Sequence, residues 1–423
     1  MGVTGCPLPI GLKKVDRASS AGKGLTLPVG HDDLSAMESA ENKPLSHEER
    51  ISWLRLIRSE NVGPVVFRQL LERFGTPAAA LEALPSLAGR GGAKRQIRTC
   101  SRDQAETELA AARKAGVQLL TLQDPRYPAL LRDLEDAPPV LVVLGDPEVL
   151  SLPTVAIVGA RNASANGRRL AEALAEEIAA AGFVIASGMA RGIDTAAHRG
   201  CLPKPSTAVL AGGVDVVYPP ENDALHRDLQ QSGAVISEMP LGTVPQARHF
   251  PRRNRLISGL SRGVVVVEAA QRSGSLITAR LAGEQGRDVF AVPGSPLDPR
   301  AAGCNHLIRE GATLIASADQ VLEDLRHYVA GQPRPVAQSS GPTAPERPQP
   351  DGQAVESAGE GACEALEELL GAEPLMVDEL VRLSSLPIAV VHSALLDLEL
   401  AGRIERHPGN RVARLYKGPA DPL

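Results

Sequence analysis

Seven consecutive residues, His249-Phe-Pro-Arg-Arg-Asn-Arg255, place three arginines, an amide and an aromatic ring in one short segment. Between Met239 and Val267 stand five arginines (Arg248, Arg252, Arg253, Arg255 and Arg262) and no Asp or Glu. The whole chain carries a net charge of −5, so this positive charge is local. Guanidinium forks bind phosphates and bases stack on rings, so such a cluster suits single-stranded nucleic acid. The mildly acidic total argues against indiscriminate binding over the whole surface and leaves a localised site.

Other polar residues gather in glycine-containing loops. Gly159-Ala-Arg-Asn-Ala-Ser164 ends an apolar run and opens a helical one, where a ligand can approach the backbone and an anion is favoured. The dinucleotide fingerprint is absent: Arg161 stands where its second glycine would be, and Ser187-Gly188 replaces a ribose-binding acid. Phosphate contacts from Arg161 and Ser164 are one reading, and a tight turn with a solvated arginine is the other. In Ser187-Gly-Met-Ala-Arg-Gly-Ile-Asp194, Asp194 either caps the next helix, the favoured reading, or meets a ligand. Gly212-Gly213 reads as a ligand loop or a plain turn, with Asp215 binding loop amides.

Glu268, Glu238 and Asp194 all fall near strand carboxyl ends. A carboxylate pair there could do acid–base chemistry, but partnership with Arg253 and Arg255 is the better expectation. No Ser/His/Asp or Cys/His constellation is identifiable, and no Walker A sequence occurs. The nine histidines do not cluster at metal-ligand spacing, and the five cysteines form no C-x-x-C pair. The expectation is therefore no catalytic residue, no metal and no cofactor. Without a signal peptide or a bilayer-length apolar run, a cytoplasmic location is expected.

These residues need elements to hold them. Hydrophobic residues make up 43% of the 423, but aromatics only 2%, so cores must be built from Ala, Val, Leu and Ile. Ser46-His-Glu-Glu49 has capping-box form and opens an amphipathic run. Helices follow at Val65–Phe74, Thr76–Leu84 and Arg102–Ala115. Runs at 117–122 and 140–144 read as strands. Strands then alternate with helices: Val155–Val158, Val184–Ala186, Thr207–Leu210, Ala234–Ser237, Val264–Val267 and Val289–Val292, with a further one at Thr313–Ile315. The intervening helices include Gly167–Ala181, Ile193–Arg199, Asn222–Gln231, Arg253–Ser261 and Thr278–Gln285. Continuous apolar strands alternating with helices predict a doubly wound parallel sheet covered on both faces. After a Gln/Pro/Ser/Gly stretch, three helices and a hairpin spell a winged helix.

The loops in this order resemble the DNA-processing protein A family (DprA, also called Smf). The matching pieces are Gly159-Ala-Arg161-x-x-Ser164, Ser187-Gly-x-Ala-x-Gly-Ile-Asp194 with His198, Gly212-Gly-x-Asp-x-x-Tyr-Pro219 and Ser237-Glu-x-Pro240. His249-Phe-Pro-x-Arg-Asn-Arg-x-Ile257, Glu268-Ala, Ser273-Gly-Ser-x-x-Thr-Ala279, Gly286-Arg-x-Val-x-Ala-Val-Pro-Gly294 and Gly303-Cys-Asn305 through Ala312 complete the series. The similarity is dense from Asp124 to Leu325.

The resemblance implies a non-enzymatic recombination mediator that binds single-stranded DNA, protects it and loads RecA during natural transformation. It implies a homodimer through the Rossmann-like domain and no membrane. The domains would be a disordered tail (1–45), a helical SAM-like domain (46–116), a Rossmann-like DNA-binding domain (117–328), a disordered linker (329–360) and a winged helix (361–423). Its DNA site would comprise Gly159, Arg161, Ser164, Ser187, Gly188, Arg248, Phe250, Arg253, Asn254, Arg255, Ser273, Gly274, Ser275 and Thr278. Ala247 stands where relatives often carry a lysine, and Arg248 is the nearest cation to fill that role. Phe250 and Arg161, on opposite walls, are the foremost candidates, because Glu238 and Glu268 would hold some arginines inside. The alternatives are a nucleoside-monophosphate-processing enzyme and a nucleotide sensor, although the Pro-Gly-Gly-x-Gly-Thr loop of such enzymes is missing. The third winged-helix element, Ile388–Gly402, offers Asp397 and Glu399 but no Arg or Lys, which disfavours duplex reading.

Overall fold

The computed structural model describes residues 45–93, 95–329, 361–407 and 409–415. The expected tail and linker, apart from residues 45 and 329, lie outside them. Four helices come first: α1 (His47–Ile57), α2 (Pro64–Phe74), α3 (Pro77–Arg90) and α4 (Arg102–Lys114). The expected capping box opens α1. Ser46 Oγ accepts from the Glu49 N–H at 3.3 Å, and the Ser46 N–H donates to Glu49 Oε2 at 2.7 Å. Helix α3 runs through Pro85, past the expected end at Leu84, because Leu84, Leu87 and Ala88 continue its buried stripe. Here packing outweighs the proline's lost hydrogen bond.

A nine-stranded sheet follows, in the order β1-β2-β6-β5-β4-β3-β7-β8-β9. Its strands are β1 (Val117–Thr121), β2 (Val140–Gly145), β3 (Thr154–Val158), β4 (Val184–Ser187), β5 (Ser206–Val209), β6 (Ala234–Ser237), β7 (Gly263–Val266), β8 (Asp288–Ala291) and β9 (Thr313–Leu314). From β6 across to β9 the pairing is parallel, as expected. Strands β1 and β2 add an antiparallel margin, with β2 running against β6. The covering helices are α5 (Ala129–Arg132), α6 (Ala165–Ala180), α7 (Ile193–Cys201), α8 (Asp223–Ser232), α9 (His249–Leu260), α10 (Gly274–Glu284), α11 (Ala302–Arg309) and α12 (Ala318–Val329).

Alternation sends Val264 and Val266 into one core with Leu256 and Ile257, and Val265 into the other with Leu174 and Ile178. Both faces are thus buried, as parallel sheets require. The chain passes from β3 through β4 and β5 to β6 on one side, then returns to place β7 on the other side of β3. That reversal opens the crevice where doubly wound folds bind ligands.

The winged helix comprises α13 (Ala362–Leu369), β10 (Leu375–Met376), α14 (Val377–Ser384), α15 (Ile388–Leu400), β11 (Ile404–His407) and β12 (Arg411–Arg414). Strand β10 joins the hairpin to make three strands. Helix α15 exposes Ile388 and His392 but docks its other side on the helical domain. Its Leu396 and Leu400 share a core with Trp53, Phe67 and Leu84 of the helical domain. Asn61 Nδ2 donates to Leu400 O at 2.9 Å, and Arg90 Nε reaches Asp397 Oδ2 at 3.2 Å. A Cβ on Gly91 would lie 2.0 Å from Asp397 O, so only glycine permits this approach. Gly91→Leu should push α15 away, at a cost of about 1–3 kcal/mol or more. Hydrogen exchange should then accelerate in α15 but not in β3–β7; equal protection in α15 would contradict this docking. No single helix among the described residues is long and apolar enough to cross a membrane.

Candidate nucleic-acid interface

The arginine-rich segment forms the first turns of α9, which begins at His249 rather than at Arg253 as expected. The helical turn divides its arginines. Arg248 and Arg252, four residues apart, are exposed. Arg253, Asn254 and Arg255 are 4%, 9% and 8% exposed, too little to line a DNA surface as expected.

Each of the three has an internal partner. Arg255 hydrogen-bonds the Glu238 carboxylate through Nη2 and the Asp136 carbonyl at 2.6 Å through Nη1. Asn254 Nδ2 donates to Gly274 O at 3.3 Å, tying α9 to the start of α10. Arg253 Nη1 donates to Val209 O at 2.9 Å. Its guanidinium lies so close to the backbone that a Cβ on Gly188 would fall 1.6 Å from Nη1. Burial lowers the Arg253 pKa to about 10 and pushes the carboxyl of nearby Asp194 up, while the two charges attract. Arg253 remains a cation at neutral pH beside the notch.

Above this buried layer lies a ring cluster. Phe250 is half-buried, with Arg161 Cζ 4.9 Å and Arg253 Cζ 5.9 Å from its centroid. Tyr218, 48% exposed, stands 5.9 Å from Phe250 at 58°. Arg161 is exposed, and no carboxylate pairs with it among the described residues. Beneath the rings, a notch walled by Gly188, Gly212, Tyr218, Pro245, Phe250 and Arg253 holds only about 10 Å³. That is room for a water and not a base, so a ligand would lie on the rings rather than enter. Tyr218 belongs to the motif Gly212-Gly-x-Asp-x-x-Tyr-Pro219 but not to the expected site. An aromatic beside two prolines in the loop after β5 was the available signal.

The anion slot at the start of α6 is already filled. Glu268 accepts from the Ser164 N–H at 2.8 Å and from Ser164 Oγ at 2.6 Å, while Ser164 Oγ accepts from Gly167 N at 2.8 Å. Glu268 is therefore a helix cap and not the expected partner of Arg253 and Arg255, and Ser164 is occupied. Gly159, at the end of β3, is half-buried against Ile193.

Three more expected hydroxyls are buried. Ser187 donates to Ile157 O at 2.6 Å, and Ser275 and Thr278 are 7% and 1% exposed. At the start of α10, Ser273 is the N-cap, its Oγ 2.7 Å from Ser275 Oγ, and Gly274 is exposed. His198 is buried with Nδ1 2.8 Å from Ser206 Oγ, and burial lowers its pKa to about 3. It is neutral and structural.

Three family models match in sequence order: the DprA-like N-terminal HHH domain over 47–111, DNA recombination-mediator protein A over 118–326, and the DprA winged helix domain over 343–410. Protein Smf of Synechocystis is 34% identical over 398 residues, covering 88% of this chain and 100% of its own. The chain belongs to the DprA/Smf family. DNA processing protein DprA of Streptococcus pneumoniae is 45% identical over 206 residues, 48% of this chain and 73% of its own. The crystal structure of the S. pneumoniae DprA superposes with a TM-score of 0.56 at 36% identity, covering 66% of this chain and 99% of the other. The segment shared with other DprA/Smf proteins thus includes every loop that builds the ring cluster.

Proposed function

We propose that this DprA/Smf chain binds single-stranded DNA along the carboxyl edge of its sheet, shelters the strand and hands it to a RecA-type recombinase. The observation that carries the reading is the exposed layer of Tyr218, Phe250 and unpaired Arg161 over a notch too small for a base. Rings that stack any base and a guanidinium that grips any phosphate suit a strand of arbitrary sequence. Arg248, Ser273 and Gly274 extend the track at the starts of α9 and α10. Arg253, Asn254 and Arg255 act from beneath by holding that surface in place. Delivery to RecA, a homodimer through the Rossmann-like domain and the boundaries 46–116, 117–328 and 361–423 complete the proposal. The nucleotide-processing alternative is disfavoured because Glu268, not a substrate phosphate, fills the α6 slot.

Titrating the chain with oligo-dT at several salt concentrations tests this. Affinity should fall with salt and vary little with base sequence. Arg161→Ala should flatten the log–log salt slope by about 0.7, the single-strand contribution of one phosphate. Salt-independent binding, or hydrolysis of a nucleoside monophosphate without oligo-dT binding, would overturn the proposal.

A further inference from the structure

Where α1 and α4 lie over the outermost strand β1, the protein leaves a cleft of about 210 Å³. Its floor follows the seam between two cores. Leu54, Leu109 and Val140 belong to one, and Ala112 and Val117 to the other. Ligand sites favour domain junctions with apolar lining and a few convergent polar groups.

The mouth carries three such groups: Arg50, Arg113 and Arg126. Arg126 is held by Asp124 at 2.9 and 3.0 Å and by Gln118 at 2.9 Å, so its charge is answered and its position set. Arg50 and Arg113 have no carboxylate within ion-pair distance among the described residues, and no acid lines the cleft. Their neighbours on the same helices behave differently. Arg58 pairs with Glu108, and Arg102 pairs with Glu48 and Glu106. Two exposed guanidiniums outside any close ion pair therefore stand over an apolar floor, with Arg50 feeling only the charge of Asp124, which Arg126 already holds. Strands β2 and β6 separate this cleft from the notch at the ends of β4 and β5.

We propose that the cleft binds a small organic anion, with its phosphate or carboxylate between Arg50 and Arg113 and its apolar body on Leu54, Leu109 and Val140. Calorimetric titration of the full chain with phenyl phosphate, inorganic phosphate and phenol separates the contributions of charge and body. Phenyl phosphate should bind one per chain and about tenfold or more tighter than either half alone. The double variant Arg50→Gln, Arg113→Gln alters exposed residues only, so it should fold as wild type. It should lose about tenfold or more for phenyl phosphate while keeping its oligo-dT affinity. Equal binding of phenyl and inorganic phosphate would reduce the site to surface charge and overturn the inference. Unchanged binding by the double variant, or loss caused by Arg161→Ala instead, would do the same.

Discussion

Replacing Arg255 with alanine should destabilise the protein by about 3–5 kcal/mol, the usual result of stranding one member of a buried ion pair. Arg255 and Glu238 are only 9% and 10% exposed at their side chains. The nearest remaining cation, Arg252, sits 3.7 Å away and is half in solvent. Removing Arg255 also frees the Asp136 carbonyl that its Nη1 satisfies. Urea unfolding followed by circular dichroism measures the effect, and a double Arg255→Leu, Glu238→Leu variant should recover much of the loss. An unchanged midpoint for Arg255→Ala would show that the pair does not hold α9 in place. Loss of DNA binding in this variant would then need the folded fraction taken into account, whereas Arg161→Ala should leave folding untouched.

Phe250→Ala should weaken oligo-dT binding by about 1–3 kcal/mol, roughly five- to 150-fold, the contribution of stacking one base on a ring. Phe250→Leu keeps apolar volume but loses the flat face, so it should recover little of that affinity. Fluorescence anisotropy with a labelled oligo-dT reads both. If Phe250→Leu bound as wild type, the ring would serve as packing and not as a stacking platform. Tyr218→Ala should couple with Phe250→Ala in a double-mutant cycle, because the two rings touch and share one ligand.

The sheet was legible because most of its strands are short, largely apolar runs, and several, such as β3, β4 and β6, run directly into Gly, Ser or an acid. Local pattern suffices for that. The fate of the arginines was legible in part. The expected pairing of Arg255 with Glu238 is present, but the burial of Arg253 and Asn254 rests on carbonyls distant in sequence, Val209 and Gly274, that take up their side chains. Glu268 was misassigned for a different reason. Its contact with Ser164 spans 104 residues and exists only because β7 lies beside β3. The lack of basic residues on α15 argued against duplex reading. Its apolar residues, spread around the whole helix, were a further sign of burial on more than one side.

The docking of α15 on the helical domain has a consequence during synthesis. Arg90 and Asp397, partners across that contact, are separated by 307 residues. At about 5–20 residues per second, the ribosome needs on the order of 15–60 s to span that interval. Throughout that time the earlier helices have Trp53, Phe67 and Leu84 but lack Leu396 and Leu400 to close over them. A helix made much later thus finishes a core begun by earlier ones, and the nascent chain must keep an apolar face soluble in the meantime.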